Sequence, residues 1–206
     1  MRRSSTPSRS HFPNVFVGCS WGVCSERSGL PRRVSRVRSL LTSWSIQGHA
    51  KGVWAASYDI WFDRTRHTGG QARGAEIMIW LKSRGFGRNR WPVVTVRHVR
   101  YHLAHWVTSH KGTRWNYIQF NRVEPTAQVR DLEVQRFISV AEERGLVSRR
   151  WWLVFLDAAQ CRDSSRVTML ARRSLSRIES ECLSSKSVCA TCRVSINRLC
   201  SPVPAG

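Results

Sequence analysis

With 206 residues and 41 % apolar side chains, the chain is long enough to bury a good-sized core, which excludes wholesale disorder. Its longest apolar run, Trp151 to Leu156, stops at Asp157, far short of the roughly 20 residues that a membrane-spanning helix needs. The net charge of +21 rests on 34 basic side chains, thirty of them arginine, and excludes little, because such a charge draws polyanions to any fold.

Residues 1–11 are polar and basic, lack the apolar stretch of a secretory signal peptide, and are expected to be a disordered lead-in. Residues 12–156 hold most of the aromatic and β-branched side chains. Short strand-like runs alternate there with Gly, Ser and Thr clusters, the pattern of an all-β sandwich. Cys19 and Cys24 form a close pair near the start. Residues 57–62 (SYDIWF) and 75–81 (AEIMIWL) read as strands, and residues 65–74, carrying Gly69-Gly70, read as the turn between them. His98, His102 and His105 would share one face of a helix, with His110 nearby. Pro92, the β-branched run 93–96 and the absence of HExxH or a carboxylate partner argue against a metal site, so these histidines are expected on exposed or poorly ordered backbone.

Residues 115–120 (WNYIQF) make a third strand candidate. From 129 to 144, Leu132, Phe137, Ile138 and Ala141 fall near helical spacing and Gly145 follows as a stop, which predicts one amphipathic helix packed against a sheet. From 157 to 206 Ser, Arg and Cys dominate and strand alternation fades, which predicts a disordered tail. Cys189 and Cys192 make one CxxC, but no second pair at matching spacing completes a zinc site, and no metal or cofactor is expected.

Side chains alternate across a strand, so Glu76, Met78 and Trp80 share one face while Ile77, Ile79 and Leu81 share the other. Likewise Asp59 and Trp61 oppose Tyr58, Ile60 and Phe62. The Ile/Leu face belongs in a core, which leaves carboxylates among aromatics on the opposite face, as expected where sugar rings stack.

Tyr58-Asp-Ile-Trp-Phe-Asp63, followed by Glu76-Ile-Met-Ile-Trp80, resembles the central strands of glycoside hydrolase family twelve, the small endo-β-1,4-glucanases. The similarity extends to residues 12–24 (FPNVFVGCSWGVC), Gly29-Leu-Pro31, Val34-Ser-Arg-Val37, Trp115-Asn-Tyr-Ile118, the helix ending at Gly145, and Trp151-Trp-Leu153. These motifs cover about residues 12 to 156, with weak agreement between Arg84 and Trp106.

The resemblance implies a jelly roll of two curved antiparallel sheets with a cleft for β-glucan, acting as a monomer by a retaining mechanism. It implies Glu76 as the nucleophile and Asp59 as the residue that hydrogen-bonds and tunes it. Met78, Trp80 and Trp106 map to the cleft wall, and Trp61 is counted with them as substrate-binding. Cys19 and Cys24 fall on the family's paired cysteines. Three departures go with the likeness. The family's opening strands are expected before Phe12, where only eleven unrelated residues stand. Positions 77–123 contain no carboxylate, and the strand and loop after Leu81 align poorly. The glycine-rich closing motif with the acid/base glutamate is replaced by VFLDAAQCRD, residues 154–163, which puts Cys161 at that position.

The expectation is therefore a copy truncated at its start and out of frame at its end, a domain incomplete at both ends. Asp157 and Asp163 lie near the expected strand, neither at the aligned position, so no measurable hydrolysis of unactivated β-glucan is expected. The competing expectation, from charge alone, is a noncatalytic basic protein that binds nucleic acid or another polyanion.

Overall fold

A computed structural model describes residues 14–46, 53–86 and 91–163. The lead-in and the tail beyond residue 163, with its CxxC, lie outside the described residues. The elements are β1 (Asn14–Ser20), β2 (Val23–Cys24), β3 (Arg32–Arg33), β4 (Leu41–Ser45), β5 (Val53–Asp63), β6 (Ala75–Arg84), β7 (Val93–Val96), β8 (Val99–His110), β9 (Thr113–Arg122), β10 (Gln128–Glu133), α1 (Val134–Glu143) and β11 (Trp152–Asp163). They form a jelly-roll-like β-sandwich of two open sheets. The larger has nine strands in the order β2-β1-β11-β5-β6-β9-β8-β7, with β3 beside β11; the smaller is β10-β4. Neighbours pair antiparallel except β6 and β9, which run parallel.

The core lies between the two sheets, because alternation on every long strand sends one apolar set inward. Tyr58, Ile60 and Phe62 on β5, Ile77, Ile79 and Leu81 on β6, and Ile118 and Phe120 on β9 are all completely buried there. Helix α1 closes one side with Val134, Phe137, Ile138 and Ala141. The Phe137 ring meets Tyr101 and Phe120 edge-on, both at 5.1 Å between ring centres.

Three local expectations are corrected. The helix does not begin at 129: residues 128–133 pair with β4, Val129 opposite Trp44 and Leu132 opposite Thr42, across a bulge at which Asp131 takes φ of 47°. A helical turn there would leave the β4 backbone without its ladder, so pairing overrides the spacing. The helix does stop as expected, with Gly145 at φ 69° and Leu146 N–H donating to Ala141 C=O at 2.9 Å. Of the histidines, His98 and His105 are exposed as expected, but their segment is not loose backbone: His98 sits in the β7–β8 turn, and β8 pairs with β7 and β9 over its length. Strand alternation puts His102 and His105 on opposite faces, and no group of three potential metal ligands occurs among the described residues. Finally, β11 does not end at residue 156 but continues to Asp163, paired with β5 down to Val53. The change in composition at Asp157 therefore falls inside a central strand.

Cys19 and Cys24 are joined by a disulfide across the β1–β2 pair. Gly18 beside it is indispensable, since at φ 105° a side chain would meet the Val154 carbonyl oxygen at 2.3 Å. Closing so short a loop removes little unfolded-state entropy, so the Cys19→Ala/Cys24→Ala variant should lose about 2 kcal/mol of stability. Denaturant titration checks this, and thiol alkylation of the oxidised protein should leave both cysteines unmodified.

Asp63 anchors the loop that returns the chain from β5 to β6. Its fully buried carboxylate accepts Thr65 N–H at 2.8 Å, the Thr65 hydroxyl at 3.0 Å and Arg73 N–H at 3.0 Å. Burial pushes its pKa up, but these hydrogen bonds and the Arg73 guanidinium outweigh it and hold the carboxyl below its ordinary 3.8. A lowered folded-state pKa stabilises the protein above the unfolded value, and that contribution is lost as pH falls through the folded value. Asp63→Ala is thus expected to cost about 2 kcal/mol at neutral pH, because two backbone donors lose their acceptor. The melting temperatures of the two proteins should converge below pH 3.8, the window in which the wild-type carboxyl takes up its proton.

Candidate active site

The face of the large sheet turned away from the core carries Asp59, Trp61, Glu76, Met78, Trp80 and Trp106. Backbone register orders them into rows running across the strands. One row reads Phe155, Trp61, Glu76, Tyr117, Trp106 across β11, β5, β6, β9 and β8. The next reads Phe16, Asp157, Asp59, Met78, Gln119, Ala104, starting from β1. A third reads Ala159, Ser57, Trp80, Asn121, His102. Glu76, Asp59, Met78, Trp80, Trp61 and Trp106 are thereby brought onto one surface of six strands, although their positions span 48 residues of sequence.

Glu76 sits low in this surface, 5 % exposed, and its Oε2 accepts the Trp115 indole N–H at 2.7 Å. Trp115 is itself buried against Trp61, 5.6 Å between ring centres, and Trp61 stacks on Phe155 at 5.9 Å. This wedge of rings fixes the carboxylate: a charge-assisted hydrogen bond from a buried indole holds one of its oxygens. Trp61, 7 % exposed, is packed in this wedge between Trp115 and Phe155.

Beyond it, Met78 and Trp80 are half-buried beside Glu76 on β6. The Tyr117 hydroxyl donates to Met78 Sδ, and Trp106 lies 4.5 Å from the Tyr117 ring and 6.4 Å from Trp91. Trp80 meets Phe86 edge-on at 4.8 Å. The two ends of the surface thus carry aromatic pairs, with carboxyl groups between them.

Trp115, Tyr117, Gln119 and Asn121 were not singled out for the site. Their signal was present, since they are the face of β9 opposite to Ile118 and Phe120. Asp157, 8 % exposed, stands directly opposite Asp59. Cys161 pairs instead with Ala55, six residues up β11 from the Glu76 row, which is about 20 Å along the strand. A cavity of about 290 Å³ lies elsewhere, where the β7–β8 turn meets β10 and α1, and none of the site residues lines it.

The model of glycosyl hydrolase family 12 matches residues 6–161. Endoglucanase cel12A from Rhodothermus marinus is 34 % identical, with a TM-score of 0.65 over 74 % of this chain and 67 % of that one. The crystal structure of a metagenome-derived family 12 endoglucanase is 32 % identical, with a TM-score of 0.65 over 74 % of this chain and 66 % of its own. Endoglucanase S of Pectobacterium parmentieri is 27 % identical over 164 residues, which are 73 % of this chain and 56 % of that enzyme. The chain thus spans little more than half the length of this curated relative.

Proposed function

Because the chain belongs to glycosyl hydrolase family 12, we propose that it is a retaining endo-β-1,4-glucanase acting on cellulose or mixed-linkage β-glucan, with Glu76 as its nucleophile. The observation that carries this is the Glu76 carboxylate, fixed by the Trp115 indole at the centre of an aromatic-walled face. A nucleophile in such a reaction needs its carboxylate held in place, and the Trp115 hydrogen bond to Oε2 supports that role for Glu76. The endoglucanase names of the 32 % and 34 % identical structures support the substrate class.

Asp59, one row along on the neighbouring strand, is the positioning group for Glu76. Met78, Trp80 and Trp106 offer the apolar and aromatic surface against which the flat faces of glucose rings pack, with Trp61 supporting them from beneath. The catalytic unit is a monomer with the polysaccharide as its partner. The +21 charge adds nonspecific, salt-dependent attraction for polyanions that is independent of the cleft.

Stereochemistry tests the proposal. Proton NMR of mixed-linkage glucan during cleavage should show new β-configured reducing ends first, with the α form growing in later by mutarotation. New ends that first appear in the α configuration would mean direct attack by water and no covalent step at Glu76.

A further inference from the structure

We infer that Asp157 is the proton donor of the cleavage, the role for which sequence alignment offers only Cys161. The inference rests on the reading of Glu76 as nucleophile and adds the second carboxyl group that a retaining reaction requires.

Register carries it. Asp157 on β11 is opposite Asp59 on β5, which is opposite Met78 on β6, so Asp157 lies two strands from Glu76 and one row along. With strands about 4.8 Å apart and about 3.4 Å per residue, the two Cα atoms are separated by about 12 Å. Both side chains stand on the same face of the sheet, and a retaining enzyme needs its carboxyl pair roughly 5–5.5 Å apart. Position 161, about 20 Å along from the Glu76 row, is out of reach of any leaving group that Glu76 displaces.

The surroundings also fit an acid. Asp157 and Asp59 face each other on adjacent strands at the roughly 5 Å typical of cross-strand β carbons, and both lie low in the sheet surface. The ionisable side chains of the three rows are Asp157, Asp59, Glu76, Tyr117 and His102. On the flanking strands, β1 sets Phe16 against Asp157, while Arg32 and Arg33 of β3 meet β11 only at Leu153 and Trp152.

In the first step a Glu76 oxygen bonds to the anomeric carbon as that carbon's bond to the bridging oxygen breaks. The electron pair left on the bridging oxygen takes the Asp157 proton, and the sugar departs as an alcohol. In the second, the Asp157 carboxylate takes a proton from water, the water oxygen bonds to the anomeric carbon, and the ester bond to Glu76 breaks. Both carboxyl groups are then restored. On this reading the chain hydrolyses unactivated β-glucan, where the Cys161 alignment alone predicts none.

The test compares wild type, Asp157→Asn and Asp157→Glu on mixed-linkage β-glucan and on 2,4-dinitrophenyl β-cellobioside. Proton donation is worth about 10²–10⁴-fold, so Asp157→Asn should lose at least 100-fold on the glucan. It should still give a burst of dinitrophenolate, since that leaving group departs without a proton, and added azide should restore turnover as β-cellobiosyl azide. Asp157→Glu, which keeps the carboxyl, should recover part of the glucan activity. An equal loss on both substrates, glucan cleavage independent of Asp157, or no cleavage of glucan by wild type would each overturn the inference. A burst ester found on Glu76 in any of those cases leaves the proposed nucleophile standing, whereas absence of that ester removes both.

Discussion

Glu76→Ala is expected to lower kcat/KM on mixed-linkage β-glucan by about 10⁴-fold or more, as when the nucleophile of a covalent mechanism is removed. The alanine leaves the Trp115 indole N–H without its acceptor inside a buried cluster, so some stability is lost as well. Glu76→Gln keeps an acceptor at that place and separates the two effects. If it folds like wild type and is as inactive as the alanine variant, the loss is chemical. Azide sharpens the reading: with Glu76→Ala it attacks the anomeric carbon from the vacated side and gives the α-glycosyl azide. The Asp157→Asn variant gives the β product, so the two carboxyl groups are told apart by the configuration of one small molecule.

Trp115→Phe is expected to lower kcat/KM by about tenfold to a hundredfold while leaving the fold intact. The ring that packs against Trp61 is largely kept, and only the 2.7 Å hydrogen bond to the Glu76 oxygen is lost. A hydrogen bond to a charged group is worth about 1.5–3 kcal/mol, which at 1.4 kcal/mol per decade gives that range. An unchanged kcat/KM, measured on the activated cellobioside and on glucan, would mean that Trp115 only fills space.

Much of this architecture was legible in the sequence because the strands that build it are long and alternate strictly. The Ile77, Ile79, Leu81 face and the Glu76, Met78, Trp80 face were separable by counting in twos, and the structure buries the first completely. Where local pattern and long-range pairing disagreed, pairing won. Residues 128–133 carry helical spacing yet serve β4, and His102 and His105 stand at helical spacing yet lie on β8, between two strands. The end of β11 was misplaced because its outer half loses apolar residues just where backbone pairing with β5 continues.

The site was legible as a set of residue types on a face but not as contacts. The Trp115–Glu76 bond joins residues 39 apart, and Asp157 meets Asp59 only through the β11–β5 register. No local signal specifies such a register, since a slip of one residue would turn every side chain to the other face.

The most direct test of the account is covalent trapping. An activated 2-deoxy-2-fluoro-β-cellobioside with a dinitrophenolate leaving group should form its glycosyl ester without help from any acid, and the fluorine slows the ester's hydrolysis. Peptide mapping by mass spectrometry should find one added fluorocellobiosyl group on the carboxylate of Glu76. The same group on Asp59, Asp157 or any other carboxylate would contradict the account.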